Sequence, residues 1–425
     1  MTAHRNHWRT TILLFALTGL VESLAFGHLS AFTPLFLKEL QVPPDSIPSW
    51  TGILSALGFI IGLPLLPFWG VWSDRYGRKL IIIRSSVFGA LMFGLAAVSP
   101  NVWMLAFARF LSGLVLGNTG VMMAVQAEIT PREKLGLAVA VISAGSPVGM
   151  AAGPYLGGLL VQMSGIRTLL LIDALLTALV AVALALFLRE EARPPVREQS
   201  ALAGVRESLR AIVGTPAVRS LFGVVFLLAF GISMTMPYTP ILVETLYAGP
   251  ASRLAPTIGK VLTAAGITMA ISTPFWGRIG DRFGHLPTLR LCALAVAITM
   301  FGLALSAEVW QVGAWRAAQG MCVGGIGALA MVLLALYAPR DRRSTILTLS
   351  LLPQQISWFL GPVSGSALTL WSLRAPFWAG GVALLLGLLA SLRLPPPAPQ
   401  EETGGAAAGV RSVEESVTGD RRTRS

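Results

Sequence analysis

Apolar residues come in runs of about twenty along this chain, each closed by a short cluster of charge, glycine or proline. A helix needs about 20 apolar residues to cross a bilayer core of about 30 Å, and a window of that width finds twelve such runs. The first six lie at roughly 10–37, 49–72, 80–98, 101–126, 135–163 and 167–188. The second six lie at roughly 219–246, 256–277, 286–306, 309–337, 344–370 and 374–392. The first run is too long for the apolar core of a signal peptide, and no small-residue cleavage site follows it, so it reads as a retained span. Residues 189–218 form the long polar break, a linker with a short surface helix expected around 201–212. After about Leu394 the composition is that of a disordered tail. The domain plan is thus a bundle over 1–190, a linker over 191–218, a second bundle over 219–394 and a tail over 395–425.

Composition supports this pattern. Of 425 residues, 54% are hydrophobic and 12% charged, about half the charge of a soluble domain. The fold class expected is all-α integral membrane. A net charge of +12 raises nucleic acid as a partner, so the placement of the basic residues has to decide. With both termini in the cytoplasm, 25 of the 32 Lys and Arg fall on cytoplasmic segments or on the cytoplasmic ends of the spans that adjoin them. That is the bias of a multi-pass protein of the cell inner (plasma) membrane. It accounts for the charge with the lipid bilayer as partner and no nucleic acid. Cys292 and Cys322 lie in apolar runs, form no metal-ligand spacing and read as packing residues.

The second half repeats the first. A shift of 207 positions carries Asp74 to Asp281, Arg75 to Arg282, Gly70 to Gly277 and Gly77 to Gly284. The same shift carries Trp103 to Trp310, Arg109 to Arg316, Gly113 to Gly320 and Gly117 to Gly324. Six spans per copy is an even number, so both copies enter the membrane from one side. They form a parallel repeat about an axis along the membrane normal, two pseudo-symmetric six-helix bundles that suit alternating access with cargo held between them.

Several motifs then resemble a known family. GVWSDRYGRK, residues 70–79, is similar to the loop signature between spans two and three of the major facilitator superfamily. WMLAFARFLSGLVLGNTG, residues 103–120, looks like that superfamily's fourth-span motif with its buried Arg. Gly149, Gly153, Pro154, Gly157 and Gly158 fit the fifth-span signature GxxxGPxxGG of drug:proton antiporters, and Pro34 suits that group. The resemblance covers about residues 8–393. It implies a cytoplasmic gate in which Asp74, on a turn where Gly70 and Gly77 allow close approach, faces the positive end of span eleven near Ser344. Arg75, Arg78 and Lys79 would pair with acids such as Glu128 or Glu133. Asp281 and Arg282 form the weaker second copy, where His285 and Leu286 replace Arg78 and Lys79. The fifth-span glycines form a flat stripe for helix packing, and Pro154 permits a kink.

Charges inside a membrane are functional candidates. Glu22 lies roughly 18 Å into span one, and Arg109 roughly 12 Å down span four from the other side, at 1.5 Å per residue. The two reach similar depth. By resemblance both spans line the central cavity, so Glu22 is expected to carry the proton with Arg109 paired to it. Asp173, six residues after Arg167, reads as part of a structural or gating pair, and His28 as a proton relay or a hydrogen-bonded core residue. The shift of 207 places Ala229 opposite Glu22, so coupling chemistry belongs to the first half. The spans lining the cavity by resemblance offer Phe26, Phe32, Met122, Met123, Met234, Tyr238 and Trp358 to a hydrophobic or amphiphilic cargo, with fewer than half expected to touch it.

The expectation is a monomeric, proton-coupled exporter of such compounds, driven by the proton gradient with no cofactor. The alternative is a proton-coupled carrier of one metabolite, such as a sugar, an amino acid or a siderophore-like compound. An enzyme is disfavoured, since HExxH, a nucleophile elbow and GxxxxGK[ST] are absent from the sequence.

Overall fold

A computed structural model describes residues 7–189, 201–339 and 342–396 of the chain, and through Leu394 they belong to one compact unit. The tail beyond residue 396 and most of the linker's first third lie outside the described residues. All regular structure described is helical: α1 (His7–Glu39), α2 (Ile47–Tyr76), α3 (Arg78–Ala97), α4 (Val102–Leu111), α5 (Asn118–Ile129) and α6 (Leu135–Phe187) in the first half. The second half holds α7 (Ala201–Gly214), α8 (Pro216–Thr235), α9 (Thr239–Leu246), α10 (Leu254–Phe283), α11 (His285–Leu305), α12 (Val309–Tyr337), α13 (Arg343–Thr348), α14 (Leu352–Leu368) and α15 (Ala375–Leu392).

Among the described residues, ten helical stretches are long and apolar enough to span a bilayer. One of them, Arg132–Phe187, has 56 residues, about twice what one crossing needs. Within it, α6 leaves helical geometry at Gly165 (φ 84°, ψ 169°), and the chain turns back there, so α6 holds spans five and six. The helix runs through Pro147 and Pro154 without such a break. The break at Gly165 is thus the turn between spans five and six, and the backbone stays helical through Pro154 within span five. Span eleven is α13 and α14, interrupted between Thr348 and Leu352. With α6 counted twice and span eleven added, the described residues make twelve crossings, at the positions read from the apolar runs.

Each odd-numbered span starts on the face that carries the N-terminus, here the terminal face, and each even-numbered one on the opposite, distal face. The linker helix α7 buries Ser208, Ala211 and Ile212 and exposes its other side.

The repeat is visible in packing as well as in letters. Gly113 sits against the carbonyl of Gly58, and Gly320 against that of Ala265, the same contact displaced by 207. Asn101 caps α4 by accepting from the Met104 amide at 3.0 Å, and its counterpart Glu308 caps α12 in a capping box with Gln311. Trp103 and Trp310 are 71% and 67% exposed, both at the distal interface where indoles settle. The turns after the two loop motifs match too: Gly77 has φ 96° and ψ 138°, Gly284 φ 92° and ψ 138°. Side chains with a Cβ avoid that region, which explains both glycines.

The two halves close on each other between mid-membrane and the distal face. Spans five and eight meet backbone to backbone: Gly158 lies on Ala255 and Pro256, Gly259 on Pro154. Thr263 Oγ1 donates to the Ala151 carbonyl at 2.7 Å. Spans two and eleven meet where Ser366 Oγ donates to the Ser49 carbonyl at 3.0 Å. At the rim, Lys38 Nζ donates to Glu244 Oε1 at 2.6 Å.

Candidate functional site

Glu22 lies near the middle of α1, and its carboxylate reaches toward span three. Oε1 accepts from Ser85 Oγ at 2.8 Å and from Ser86 Oγ at 3.1 Å. The Asn118 amide is near enough to act on the carboxylate, although neither of its polar atoms closes a hydrogen bond of normal geometry. Arg84 is the cation whose charge acts on Glu22, without a direct ion pair. Its Nη2 donates instead to the Leu116 carbonyl at 3.0 Å, and its guanidinium stacks 3.2 Å above the Trp69 ring.

This cluster gathers where span four is broken. α4 ends at Leu111, a short 3-10 turn follows, and Gly117 takes φ 88° before α5 begins at Asn118. Trp69 fills the space that a side chain on Gly117 would need.

Arg109 is not the partner of Glu22, contrary to the expectation from matching depth. It is buried, and its Nε donates to the Leu54 carbonyl at 2.9 Å, which ties span four to span two. Depth along two helices fixes height in the membrane; it leaves open the direction each side chain points. Arg316 likewise bonds within its own half, to the Gln319 side chain.

Asp173 is not paired with Arg167 either. Arg167 Nε donates to Glu39 Oε1 at 2.6 Å, while both oxygens of Asp173 accept from His28 Nδ1, at 2.9 and 3.1 Å. Both residues are buried, at 2% and 1% exposure. The fifth-span motif makes this pair possible: a Cβ on Gly157 would overlap the His28 ring and press on Phe32. Gly149 and Gly153, with Gly145, press on the carbonyls of Leu20, Leu24 and Ala16 in span one. The stripe thus serves two partners, span one for most of its length and span eight at Gly158.

At the loop motif, Arg78 Nη1 donates to Glu128 Oε2 at 2.9 Å, as the charge pattern predicts. Asp74 faces Arg78 at 3.7 Å within its own half, not the start of span eleven. The second copy repeats this, with Asp281 Oδ1 3.7 Å from His285 Nε2. Arg75 and Arg282 each lie over the next aromatic ring, Tyr76 at 5.4 Å and Phe283 at 5.2 Å. Lys79 adds a further terminal-face cation. The surroundings of Gly70 lie outside the described residues, and Gly277 has open space where a side chain would go, so close approach is not its reason.

The aromatic and Met candidates divide by burial. Phe32, Met122, Met234 and Tyr238 are 3% exposed or less, and Tyr238 Oη donates to the Pro362 carbonyl at 2.9 Å. They are core, not lining. Phe26 and Met123 are partly buried, and Trp358 is 41% exposed. Trp358 meets Phe59 of the other half edge-on, ring centroids 6.2 Å apart.

What the sequence reading missed is Arg84 as the cation near Glu22, together with Ser85, Ser86 and Asn118. The signal was present: an arginine inside an otherwise apolar third span, and an amide in the GNTG stretch of the fourth.

Known proteins match this architecture. The chain is 28% identical over 376 residues to the multidrug resistance protein MdtG of Citrobacter koseri, covering 87% of this chain and 91% of that protein. It is 26% identical over 420 residues to MdtG of Enterobacter lignolyticus, covering 97% of each. Solved structures with the same fold include the nucleoside transporter NupG (TM-score 0.77, 12% identity, 90% of this chain and 99% of that one). Another is a bacterial homologue of the human lysosomal transporter Spinster, inward-facing and unoccupied (TM-score 0.71, 15% identity, 91% of this chain and 98% of that one). The family model described as the Major Facilitator Superfamily matches residues 12–256 and again 221–423, two overlapping matches that together take in both halves of the repeat, and the chain belongs to that superfamily.

Proposed function

We propose that the protein exports hydrophobic or amphiphilic compounds across the cell inner membrane in exchange for protons, as a monomer with both termini cytoplasmic. Similarity to proteins named multidrug resistance protein over nearly the whole chain supports the cargo class. The excess of Lys and Arg on terminal-face segments supports the orientation.

The observation that carries the reading is Glu22. It is a partly buried residue deep in the apolar zone whose carboxyl is held by two hydroxyls and lies near a cation that is bonded elsewhere. A carboxylate locked in a direct ion pair resists protonation; one held by hydroxyls can take up and release a proton. Trp358 and Phe59, from opposite halves, offer an aromatic surface to cargo at mid-membrane. The halves meet on the distal side while Asp74 bonds within its own half, which suits the inward-facing end of the cycle. On closure of the cytoplasmic side, the Asp74, Arg75, Arg78 and Lys79 cluster docks on span eleven. His28 and Asp173 hold spans one and six together, and Arg109 holds spans two and four.

The test is a proteoliposome assay with an imposed pH gradient and a panel of lipophilic cations and neutral antibiotics. Several compounds should dissipate the gradient through the wild type, and Glu22→Gln should slow this at least tenfold. Export against a gradient by Glu22→Gln at the wild-type rate would overturn the reading. Dissipation by no panel member would point to a single-metabolite carrier instead.

A further inference from the structure

The two halves share a backbone plan, yet span four is broken and span ten is not: α12 runs unbroken from Val309 to Tyr337. A glycine at the break is not the cause, because Gly324, the counterpart of Gly117, stays helical. What differs is the polar cluster. At the positions of Glu22, Arg84 and Asn118 the second half carries Ala229, Leu291 and Gly325, whereas Trp69 has its counterpart in Trp276. The half with the acid, the cation and the amide has the break; the half without them has a continuous helix.

The bonding shows how the two are linked. Leu116 lies between the pieces of span four, outside the helical ladder of either, and its carbonyl takes its hydrogen bond from Arg84. Arg84 keeps Nε and Nη1 without partners, and Asn118, 3% exposed, lies close to the Glu22 carboxylate without closing a hydrogen bond of normal geometry. Unpaired buried polar atoms are costly, and here they surround a carboxylate that can use them. The cluster therefore has a second arrangement available, in which Arg84 leaves Leu116 and pairs with Glu22 directly.

We propose that Arg84 is the positioning residue through which the proton on Glu22 sets the shape of span four. With Glu22 protonated, Arg84 holds the Leu116 carbonyl and the span stays broken, as seen here. With Glu22 ionised, its charge draws Arg84 away, Leu116 returns to the helical ladder, and span four straightens as span ten does. The groups facing Glu22 are Arg84, Ser85 and Ser86 from α3 and Asn118 from α5. From α2, Trp69 stacks on Arg84, and α6 presents the glycine stripe and Ser146 along α1. The nearest other titratable pair on α1, His28 with Asp173, lies almost two turns away. This proposal rests on the reading of Glu22 as the proton carrier, and its test separates the two.

Spin labels on cysteines at Phe107 and Ala127, both exposed, report the length of span four in full-length protein in nanodiscs, with Cys292 and Cys322 replaced by serine. A straight helix puts them roughly 30 Å apart at 1.5 Å per residue, and a broken one closer. In the wild type the distance should lengthen toward that value as pH rises. Glu22→Gln should hold the short distance at every pH, and Arg84→Leu should abolish the pH response. Arg84→Lys, which keeps a cation, should retain part of the response, and Asp173→Asn all of it. A distance that ignores pH in the wild type, or still responds in Arg84→Leu, overturns the proposal. If Arg84→Leu does not fold, a response surviving in Glu22→Gln overturns it equally. Coupled export with a span four that never changes length would sink this switch and spare the proposed function. A pH-driven length change in a protein that moves no protons would do the reverse.

Discussion

Residue 157 is a glycine because the ring of His28 occupies the place its side chain would take. The fifth-span motif thus bears directly on the buried His28–Asp173 pair. Gly157→Ala should overpack this contact at a cost of about 1–3 kcal/mol, read as a lower melting temperature in detergent. Gly136→Ala, with open space around it, should stay within about 0.5 kcal/mol of the wild type.

His28 and Asp173 act as one unit, so their substitutions should not add. Asp173→Asn and His28→Gln are each expected to destabilise, and the double variant should lose at least about 1 kcal/mol less than their sum. A full double-mutant cycle on thermal stability checks this. Strict additivity would show that the 2.9 Å contact contributes nothing.

The matched backbones of Gly77 and Gly284 make a paired prediction. Gly77→Ala and Gly284→Ala should each cost about 1–3 kcal/mol, since both positions sit at positive φ. Gly277→Ala, inside a helix with free space, should be tolerated. Equal tolerance at all three sites in a melting assay would contradict the backbone argument.

Lys38 and Glu244 join the halves at the distal rim, and Lys38 is half exposed. An exposed pair of this kind contributes about 0.2–1 kcal/mol, small for folding but enough to shift a conformational balance up to about fivefold. Glu244→Lys replaces attraction with repulsion. It should raise the labelling rate of a cysteine placed at the buried Ser366 by a membrane-impermeant reagent from the outside. An unchanged rate would mean that the seam is held by backbone packing alone.

Twelve crossings, the duplication and the two loop turns were legible in the sequence, because apolar run length and a fixed offset are one-dimensional signals. The loop motif and its repeat pointed to a turn at residues 77 and 284 and to an ion pair between one of three cations and Glu128 or Glu133, and the structure picks Arg78 with Glu128. The pairing of Glu22 with Arg109 was not legible. It rested on depth alone, and Arg109 points to Leu54 instead. The aromatic list failed for a related reason: Tyr238 and Phe32 are as apolar in sequence as a lining residue, yet both are packed into the core.

The sequence by itself determined where the chain crosses the bilayer and that it does so in two like halves, since a lipid core demands a backbone that satisfies its own hydrogen bonds, and runs of about twenty apolar residues do so as helices. The tertiary structure decided which buried polar groups meet. Azimuth around a helix depends on how neighbouring helices press together, and that is set by contacts such as Gly157 on His28 and Gly113 on Gly58. Hence Glu22 faces Ser85 and Arg84, not Arg109, and only the packed bundle reveals it.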